Sequence, residues 1–289
     1  MRNVPGRRLF LGGNEIYVEE SGSGDTCVVF ESGTGAGRLL WDPVVALLAD
    51  SVRTVAYDRA GRGRSKRIGP PQSIDDMSDT LAALIEQLAP RRLILVAHSM
   101  GGLVVRRAID KMSPQPVGVV LVDPTPEQAP IYDDWTATAK KTDRILAVEQ
   151  SLSRIRPLMA ALTRSYGRMF PAPTYATMLA EDFTPAGFAQ TRNELQAVAA
   201  AIAEFRTRPP RRPNTDVTVI SAARPTRFQA RSFDAIHEYQ RRYAEEIGAV
   251  LEDADSTHLI PAERPAQIAA AVHRLSGAEP RGAQQKGPA

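Results

Sequence analysis

The segment around Ser99 constrains the fold more than any other part of the chain. The apolar, β-branched run Leu93–Val96 leads through Ala97 and His98 to this serine, and a helical pattern begins at Gly101. A strand, a tight turn and a helix in this order form the elbow that presents a serine nucleophile at the edge of a sheet. The turn strains the serine backbone, so the residues around it must be small, as they are here. An ordinary turn between a strand and a helix is the alternative reading.

Strand and helix patterns alternate through most of the chain. Strands are predicted at Arg8–Leu11, Glu15–Glu19, Cys27–Phe30, Arg53–Tyr57, Leu93–Val96, Val117–Val122, Val217–Ile220 and Ala249–Glu252. Helices are predicted at Leu39–Leu48, after a capping box at Ser73 and Asp76, at Phe233–Ile247 and at Ala266–Leu275. This alternation predicts an α/β fold whose mostly parallel sheet is covered by helices on both faces. Chemistry in such sheets gathers at the carboxyl ends of the strands.

The pattern changes between residues 125 and 213, where helical stretches at Lys140–Leu162, interrupted near Pro157, and at Pro185–Phe205 replace the strands. We therefore predict that residues 1–124 and 214–276 form the α/β core and that residues 125–213 form an inserted helical cap. Residues 277–289 are rich in Gly, Pro, Gln and Ala, which predicts a disordered tail. With 289 residues and 43% hydrophobic content, one large domain with an insertion or two small domains would fit.

Composition argues against several classes of partner. The net charge is only +3 and aromatic residues make up 6%, which leaves little for base stacking. The cluster of arginines and prolines in residues 206–213 is predicted to be a solvated linker, and no nucleic-acid partner is expected. Cys27 is the only cysteine, so an intrachain disulfide and a thiolate metal cluster are excluded. The N-terminal residues lack the apolar stretch of a signal peptide and no run could span a bilayer, so a cytoplasmic protein without a membrane partner is expected. The oligomeric state stays open.

Four motifs occur in a familiar order. They are Ser32–Gly35 after the third strand, Asp58 and Arg59 with a glycine-rich turn after the fourth, the elbow at Ser99, and Ser256–Pro261 near the end. Together they resemble the α/β-hydrolase superfamily over nearly the whole chain apart from the tail. The resemblance implies a serine esterase or lactonase with a helical lid over the site and no need for a metal or an organic cofactor.

A serine hydroxyl needs a base to remove its proton. His258 follows the last predicted strand in a loop, at the edge of the sheet from which it can reach Ser99. His98 adjoins the serine but points elsewhere at a tight turn, so packing or hydrogen bonding is predicted for it. His237 and His273 fall in helical patterns. Ser99 and His258 are therefore the predicted nucleophile and base.

The acid that orients the base occupies different positions in different members of the superfamily. Many relatives in the superfamily carry it after the seventh strand, but the stretch Ser221–Arg227 contains no carboxylate. Some relatives take it from the end of the sixth strand, where this chain has Asp123. A buried carboxylate there could accept the imidazole N–H and stabilise the imidazolium. An aspartate before a proline also caps turns. Asp123 is the predicted acid, Glu127 the reserve and Asp234 a more distant candidate.

The oxyanion formed during attack needs preorganised donors. The backbone N–H groups of Met100, after the nucleophile, and of Thr34, after the third strand, are the predicted pair. Gly33 lets the backbone approach a ligand closely, and we predict substrate contact there. A phosphate cradle is the alternative for this loop, but no Walker lysine follows it. For Asp58 and Arg59 an ion-paired structural role is favoured.

Substrate contacts are predicted from apolar side chains. Trp41 and Trp135 could line the pocket or pack in the core, and Leu158 and Met159 are candidates from the cap. Since no charged anchor stands out, the expected partner is an ester or lactone of an uncharged, fairly apolar small molecule. A serine nucleophile argues against dehalogenase and epoxide hydrolase chemistry. Perhydrolase and carbon–carbon bond hydrolase activities stay open, as does a non-catalytic ligand sensor on the same fold.

Overall fold

The computed structural model describes residues 6–225 and 233–277. Within these residues the strands are β1 (Arg7–Leu11), β2 (Asn14–Ser21), β3 (Thr26–Glu31), β4 (Arg53–Tyr57), β5 (Arg92–His98), β6 (Gly118–Val122), β7 (Asp216–Ala222) and β8 (Val250–Ala254). They form one sheet in the order β1-β2-β4-β3-β5-β6-β7-β8. The pairs from β4 to β8 across the sheet are parallel, while β2 is antiparallel to both of its neighbours. This confirms the predicted α/β class.

The helices cover both faces of this sheet. They are α1 (Asp42–Leu48), α2 (Ile74–Leu88), α3 (Gly101–Ile109), α4 (Trp135–Leu152), α5 (Arg156–Leu162), α6 (Arg164–Met169), α7 (Ala172–Glu181), α8 (Pro185–Thr207), α9 (Phe233–Ile247), α10 (Ile260–Glu263) and α11 (Pro265–Ser276). Successive side chains of a strand point to opposite faces, so the central strands feed two cores. On β5, Leu93 and Leu95 pack with α2 and α3, while Ile94 and Val96 pack with α1 and α11.

Helix α2 shows how closely the sequence encodes one element. The Ser73 hydroxyl accepts the backbone N–H of Asp76, and the Asp76 carboxylate accepts the backbone N–H of Ser73. This reciprocal capping box satisfies donors that the first helical turn would otherwise leave without partners. The predicted apolar stripe, which includes Met77 and Leu81, is buried. Helix α2 therefore begins and packs as its sequence predicts.

Prolines lie in the first turn of two helices, one of which begins later than predicted. The helix predicted at Leu39–Leu48 is a short 3-10 turn followed by α1, with Pro43 in the first turn of α1. The stretch predicted at Lys140–Leu162 is interrupted near Pro157 as expected: it is divided into α4 and α5, with Pro157 in the first turn of α5. A proline suits a first helical turn because its missing N–H would have no partner there.

Five helices, α4 to α8, lie between β6 and β7, and residues 123–215, all of which are described, contain no strand. We call α4–α8 the cap helices; the division of the chain into core and cap domains stays a prediction. Of the predicted tail, only Gly277 falls within the described residues. No helix in the described ranges combines the length and the apolar character that crossing a bilayer requires.

Candidate active site

Ser99 lies directly after β5 in a strained backbone conformation. Its φ of +54° is in the left-handed region, which non-glycine residues rarely adopt. The Ser99 N–H donates to the carbonyl of Val122 at 3.0 Å, and the Thr125 N–H donates to the carbonyl of Ser99 at 3.3 Å. These contacts join the elbow to the end of β6. They hold the serine in the conformation that the sequence motif requires.

The glycine after the elbow allows α3 to approach the sheet closely. A Cβ on Gly101 would lie 2.6 Å from the carbonyl oxygen of Glu31 and 2.7 Å from that of Ser32. Both oxygens belong to backbone, which cannot move aside as a flexible side chain would. The need for a small residue at this position therefore comes from packing against the end of β3.

Gly101→Ala is expected to lower the free energy of unfolding by about 1–3 kcal/mol, because the new methyl group would overlap backbone oxygen atoms. Gly69→Ala is the matched control, since a Cβ on Gly69 would meet no atom within 4 Å. Chemical denaturation of both variants measures the difference. Equal stabilities would contradict the close approach.

Asp123 and His258 meet at the carboxyl ends of β6 and β8. The Nδ1 atom of His258 lies 2.5 Å from Oδ2 of Asp123. A carboxylate can only accept, so Nδ1 carries the proton and Nε2 is left as the basic nitrogen. Asp123 is 7% exposed and has a φ of +43°, a conformation that aspartate tolerates better than most residues. The structure thus joins the predicted base and the predicted acid.

Further donors surround the second oxygen of the Asp123 carboxylate. The Ala222 N–H, at the end of β7, donates to Oδ1 at 3.2 Å, and the Gln240 side chain donates to it at 3.0 Å. Burial pushes the pKa of Asp123 upward, but the hydrogen bond and charge of His258, together with these donors, lower it below its ordinary value. The carboxylate is therefore ionised and available to stabilise an imidazolium.

Gln240 is a supporting residue that the sequence did not reveal. Its side chain is 1% exposed and also donates to the Pro124 carbonyl at 2.8 Å. The Ser221 hydroxyl donates to its Oε1, which fixes the orientation of the amide, and contacts Nδ1 of His237 at 2.8 Å. Only the spacing of His237 and Gln240 on one turn of α9 hints at this arrangement. The fold is needed to bring that turn to Asp123.

His98 supports the loop that carries the base. Its Nε2 atom donates to the His258 carbonyl at 2.8 Å, and the two rings lie 4.6 Å apart between centroids. Burial, with the charge of His258, lowers the pKa of His98 to about 3. The neighbour of the nucleophile therefore stays neutral and makes a hydrogen bond, as predicted. Its remaining Nδ1 atom is buried without a partner.

The loop after β3 is held from below by Arg59. This guanidinium donates to the carbonyls of Ser32 at 2.6 Å and Gly33 at 2.7 Å. Gly33 is buried beneath the elbow, where a Cβ would lie 2.8 Å from Nδ1 of His98. Among the described residues, no hydrogen bond occupies the backbone N–H of Thr34 or of Met100. Both predicted oxyanion donors thus remain available.

Two buried charge clusters attach these loops to the fold. Arg59 pairs with Glu31 at 2.6 Å and with Glu194 of α8 at 3.1 Å, and Arg62 pairs with the same Glu194 at 3.2 Å. Asp58 pairs with Arg38 at 2.7 Å. All of these side chains are 4% exposed or less. The structure thus gives Asp58 and Arg59 ion pairs, in agreement with the role favoured from sequence.

The reserve candidates for the acid lie elsewhere. Glu127 forms a buried, two-pronged pair with Arg106, with both contacts at 2.8 Å. Asp234 is an exposed residue of the first turn of α9. Neither carboxylate is bonded to His258, whose Nδ1 contacts Asp123.

A cavity of about 390 Å³ opens above the elbow. Ser99, His258, Thr34 and Met159 are among the residues that line it. A second cavity of about 300 Å³ reaches Ser99 and His258 from another side and includes Trp135. A ligand could therefore extend from the serine in two directions.

Three predicted substrate contacts, Gly33, Trp41 and Leu158, do not line either of these cavities. Gly33 is buried against His98 and Ser99, which corrects its prediction as a substrate contact. Trp41 is fully buried, packs against the tilted ring of Phe30 and donates its indole N–H to the Ser32 hydroxyl at 2.9 Å. This corrects its prediction as a substrate contact, because no surface of the side chain is left for a ligand. Leu158 on α5 is half-buried and is not part of either cavity wall, whereas its neighbour Met159 is. The helical phase of α5 decides which of the two faces the site.

Asp182 also lines the 390 Å³ cavity, and its carboxyl group should make the stability of the protein depend on pH. Burial, with the charge of Asp58, raises its pKa from 3.8 to about 7. Between pH 3.8 and about pH 7, Asp182 is protonated in the folded state and ionised in the unfolded state. The free energy of unfolding therefore falls as the pH rises, and the decrease is complete above pH 7. Asp182→Asn removes this loss, and its melting temperature relative to wild type should be more favourable at pH 8 than at pH 5.

Thermal melts across this pH range measure the effect, and Asp50→Asn, at an exposed aspartate, is the control. A difference between Asp182→Asn and wild type that does not change with pH would contradict the prediction.

Comparisons with known proteins identify the family of the chain. Residues 28–271 match the Alpha/beta hydrolase family. The 2-(acetamidomethylene)succinate hydrolase of Mesorhizobium japonicum is 30% identical over 160 residues, which cover 55% of each chain. The bifunctional esterase/perhydrolase of Acinetobacter calcoaceticus is 31% identical over 117 residues, or 39% of this chain and 42% of that one. The chain thus spans about half the length of these relatives.

A solved structure extends the similarity to nearly the whole chain. The enol-lactonase of Burkholderia xenovorans LB400 has a TM-score of 0.67 and 18% identity, and the match covers 94% of this chain and 100% of that one. At such identity the similarity shows a shared fold. Since the family match includes the elbow, Asp123 and His258, and covers most of the residues, the chain belongs to the Alpha/beta hydrolase family.

Proposed function

We propose that this protein is a serine hydrolase that cleaves an ester or lactone of an uncharged, fairly apolar small molecule through an acyl-enzyme. The observation that carries the proposal is the contact between Asp123 and Nδ1 of His258, beside a cavity that Ser99 also lines. This contact leaves Nε2 free to act as a base towards the serine. A cytoplasmic location is part of the proposal.

Each step uses a group already described. Nε2 of His258 removes the proton of Ser99 as its oxygen attacks the substrate carbonyl, and the N–H groups of Thr34 and Met100 stabilise the resulting oxyanion. The tetrahedral intermediate collapses, the C–O bond breaks and Nε2 returns the proton to the leaving alcohol. Water then attacks the acyl-enzyme with His258 again as base. The acid product leaves and the serine is restored.

The side chains around the cavity support an uncharged substrate. Leu40, Met178, Phe183 and Phe188 contribute apolar surface, and Met159 adds a side chain that can adapt its shape. The second cavity offers space for the other half of an ester. We propose that the scissile carbonyl lies where the two cavities meet, at Ser99.

A panel of chromogenic esters and lactones tests the proposal directly. The purified protein should hydrolyse some of them and should be labelled at a single serine by a fluorophosphonate. Mass spectrometry of the labelled peptide identifies the residue. Labelling without turnover of any ester or lactone would sink the substrate assignment and retain a reactive serine. No labelling at all would favour a ligand sensor on this fold.

Perhydrolysis is the second candidate, and the esterase/perhydrolase of Acinetobacter calcoaceticus gives it specific support. A perhydrolase shares the acyl-enzyme but resolves it with hydrogen peroxide in place of water. Adding peroxide to the ester assay and measuring peracid distinguishes the two activities. We expect hydrolysis to dominate, because no feature of the described cavity singles out peroxide from water.

A further inference from the structure

Three hydrogen-bonded side chains lead from the partly exposed His237 to the carboxylate of Asp123. His237 contacts the Ser221 hydroxyl at 2.8 Å, and this hydroxyl donates to Oε1 of Gln240. Gln240 in turn donates to Oδ1 of Asp123 at 3.0 Å. We call His237, Ser221 and Gln240 the α9 network. Ser221 and Gln240 are 1% exposed or less, so their polar atoms depend on partners within the protein.

The amide of Gln240 has one favourable orientation. Its Nε2 atom donates to Oδ1 of Asp123 at 3.0 Å and to the carbonyl oxygen of Pro124 at 2.8 Å, and both of these oxygens can only accept. An amide turned by half a rotation would place Oε1 against two other acceptors in a buried place, which is unfavourable. Oε1 therefore faces Ser221, whose hydroxyl must donate to it.

This orientation determines which nitrogen of His237 carries a proton. The Ser221 hydroxyl has one hydrogen, and Gln240 receives it, so the Ser221 oxygen can only accept from His237. Nδ1 of His237 must therefore carry a proton, in the neutral imidazole as well as in the imidazolium. Nε2 lies 3.5 Å from Oδ1 of Asp253 on β8.

The α9 network has a direction. Each member donates to the next, and the last donates to Asp123. Hydrogen bonds ordered in this way polarise and strengthen one another. An acceptor in place of the His237 N–H would draw the hydrogen of Ser221 to itself. Oε1 of Gln240 would then be buried without a donor, which is costly, and the amide would lose the contact that fixes its orientation.

The network ends on the oxygen of Asp123 that does not contact the base. His258 contacts Oδ2 at 2.5 Å, while Oδ1 accepts from Gln240 and, at 3.2 Å, from the Ala222 N–H. Donors on Oδ1 fix the plane of the carboxylate and hence the direction in which Oδ2 meets the base. The backbone of β7 supplies one donor whatever the side chains are. The other depends on the α9 network.

We propose that His237 is a positioning residue for Asp123, because its Nδ1–H sets the direction of the α9 network and so keeps the carboxylate in the plane that His258 requires. It acts through Ser221 and Gln240 rather than on the reacting atoms. This role rests on the proposed hydrolase function, which it deepens. His237 also lines the second cavity, so its test must separate a hydrogen bond from a change of shape.

Asparagine and aspartate have the same shape and opposite hydrogen bonding, which makes them a matched pair. His237→Asn can donate an N–H to Ser221, whereas the ionised carboxylate of His237→Asp can only accept. With an ester substrate at pH 8, kcat should be about tenfold lower in His237→Asp than in His237→Asn, with similar KM values. The two variants leave the same space in the cavity wall, so packing cannot account for the difference.

The same two substitutions in a Ser221→Ala background separate hydrogen bonding from charge. Without the hydroxyl the network is interrupted, so the difference in kcat should shrink to about twofold or less. His273 on α11 is the matched control, since its Nε2 contacts the Ser51 hydroxyl at 2.9 Å, ahead of β4 at the amino ends of the strands. His273→Asn and His273→Asp should have equal kcat.

NMR of the protein with isotope-labelled histidine gives two results that need no turnover. His237 should carry a proton on Nδ1, and nitrogen chemical shifts distinguish this form from the neutral Nε2–H tautomer. The Nδ1–H proton of His258, which bonds to Asp123, should shift in His237→Asp and keep its wild-type position in His237→Asn. If no ester is cleaved but both signals behave in this way, the hydrolase function fails and the role of the α9 network stands.

Three outcomes would overturn the proposal. The first is a neutral Nε2–H tautomer of His237, which is measured on the wild-type protein and so does not depend on the folding of any variant. The second is equal kcat, or an equal shift of the His258 proton, in His237→Asn and His237→Asp. The third is a difference that persists in the Ser221→Ala background, which would assign the effect to the new charge. Circular dichroism of each variant shows whether it is folded.

Discussion

Replacing Ser99 by alanine is expected to lower ester hydrolysis by at least about 10⁴-fold, because the variant has no oxygen that can form the acyl-enzyme. The cavity, the Asp123–His258 contact and the two predicted oxyanion donors would all remain. The fold should be retained, since Ser99 is held by its backbone N–H and carbonyl. The measurement is kcat/KM with the best ester of the panel, together with labelling by the fluorophosphonate.

Ser151→Ala is the matched control for this variant. Ser151 is an exposed residue of α4, and its hydroxyl donates to the Ala147 carbonyl in the preceding helical turn. This variant should keep both the activity and the label. Wild-type activity in Ser99→Ala, with the label moved to another serine, would refute the role of the elbow.

Asp123→Asn is expected to reduce kcat by about 10⁴-fold with a smaller change in KM. Gln240 and the Ala222 N–H both donate to Oδ1, so the asparagine would place its carbonyl oxygen there and turn its NH₂ towards His258. That NH₂ would donate to Nδ1 and leave the proton on Nε2. The base would then hold the wrong tautomer, although its position is unchanged.

Glu127→Gln separates this effect from a general loss of acidic charge. Glu127 lies two-pronged against Arg106, and its replacement should lower stability more than turnover per folded molecule. Activity that survives in Asp123→Asn but is lost in folded Glu127→Gln would reverse the assignment. A rise in KM with kcat unchanged in Asp123→Asn would assign Asp123 a role in substrate binding.

Residues that follow strands were predictable, because parallel strands bring their carboxyl ends to one edge. Ser99, Asp123 and His258 follow β5, β6 and β8, and this rule places them together. The absence of a carboxylate after β7 directed attention to β6. At Ala222 the end of β7 contributes a backbone N–H to the same carboxylate instead.

Contacts between helices and the edge of the sheet could not be predicted from the sequence. Gln240 reaches Asp123 only because α9 packs beside β7, and no local pattern states which turn of the helix arrives there. Trp41 was equally suited to a core or a cavity wall, and its burial depends on how α1 follows a 3-10 turn. Burial of Met159 and partial exposure of Leu158 depend in the same way on the rotation of a short helix.

The salt links of Glu194 constrain how substrates enter. Moving α8 away from the sheet would break the buried ion pairs of Glu194 with Arg59 and Arg62. The free-energy cost of leaving these charges buried without partners is about 3–5 kcal/mol. The short helices α5 and α6 are held by fewer buried side chains: Met159 is the buried residue of α5, and α6 has none. We therefore expect substrate to enter and product to leave through local movements of α5 and α6, while α8 keeps its position over the sheet.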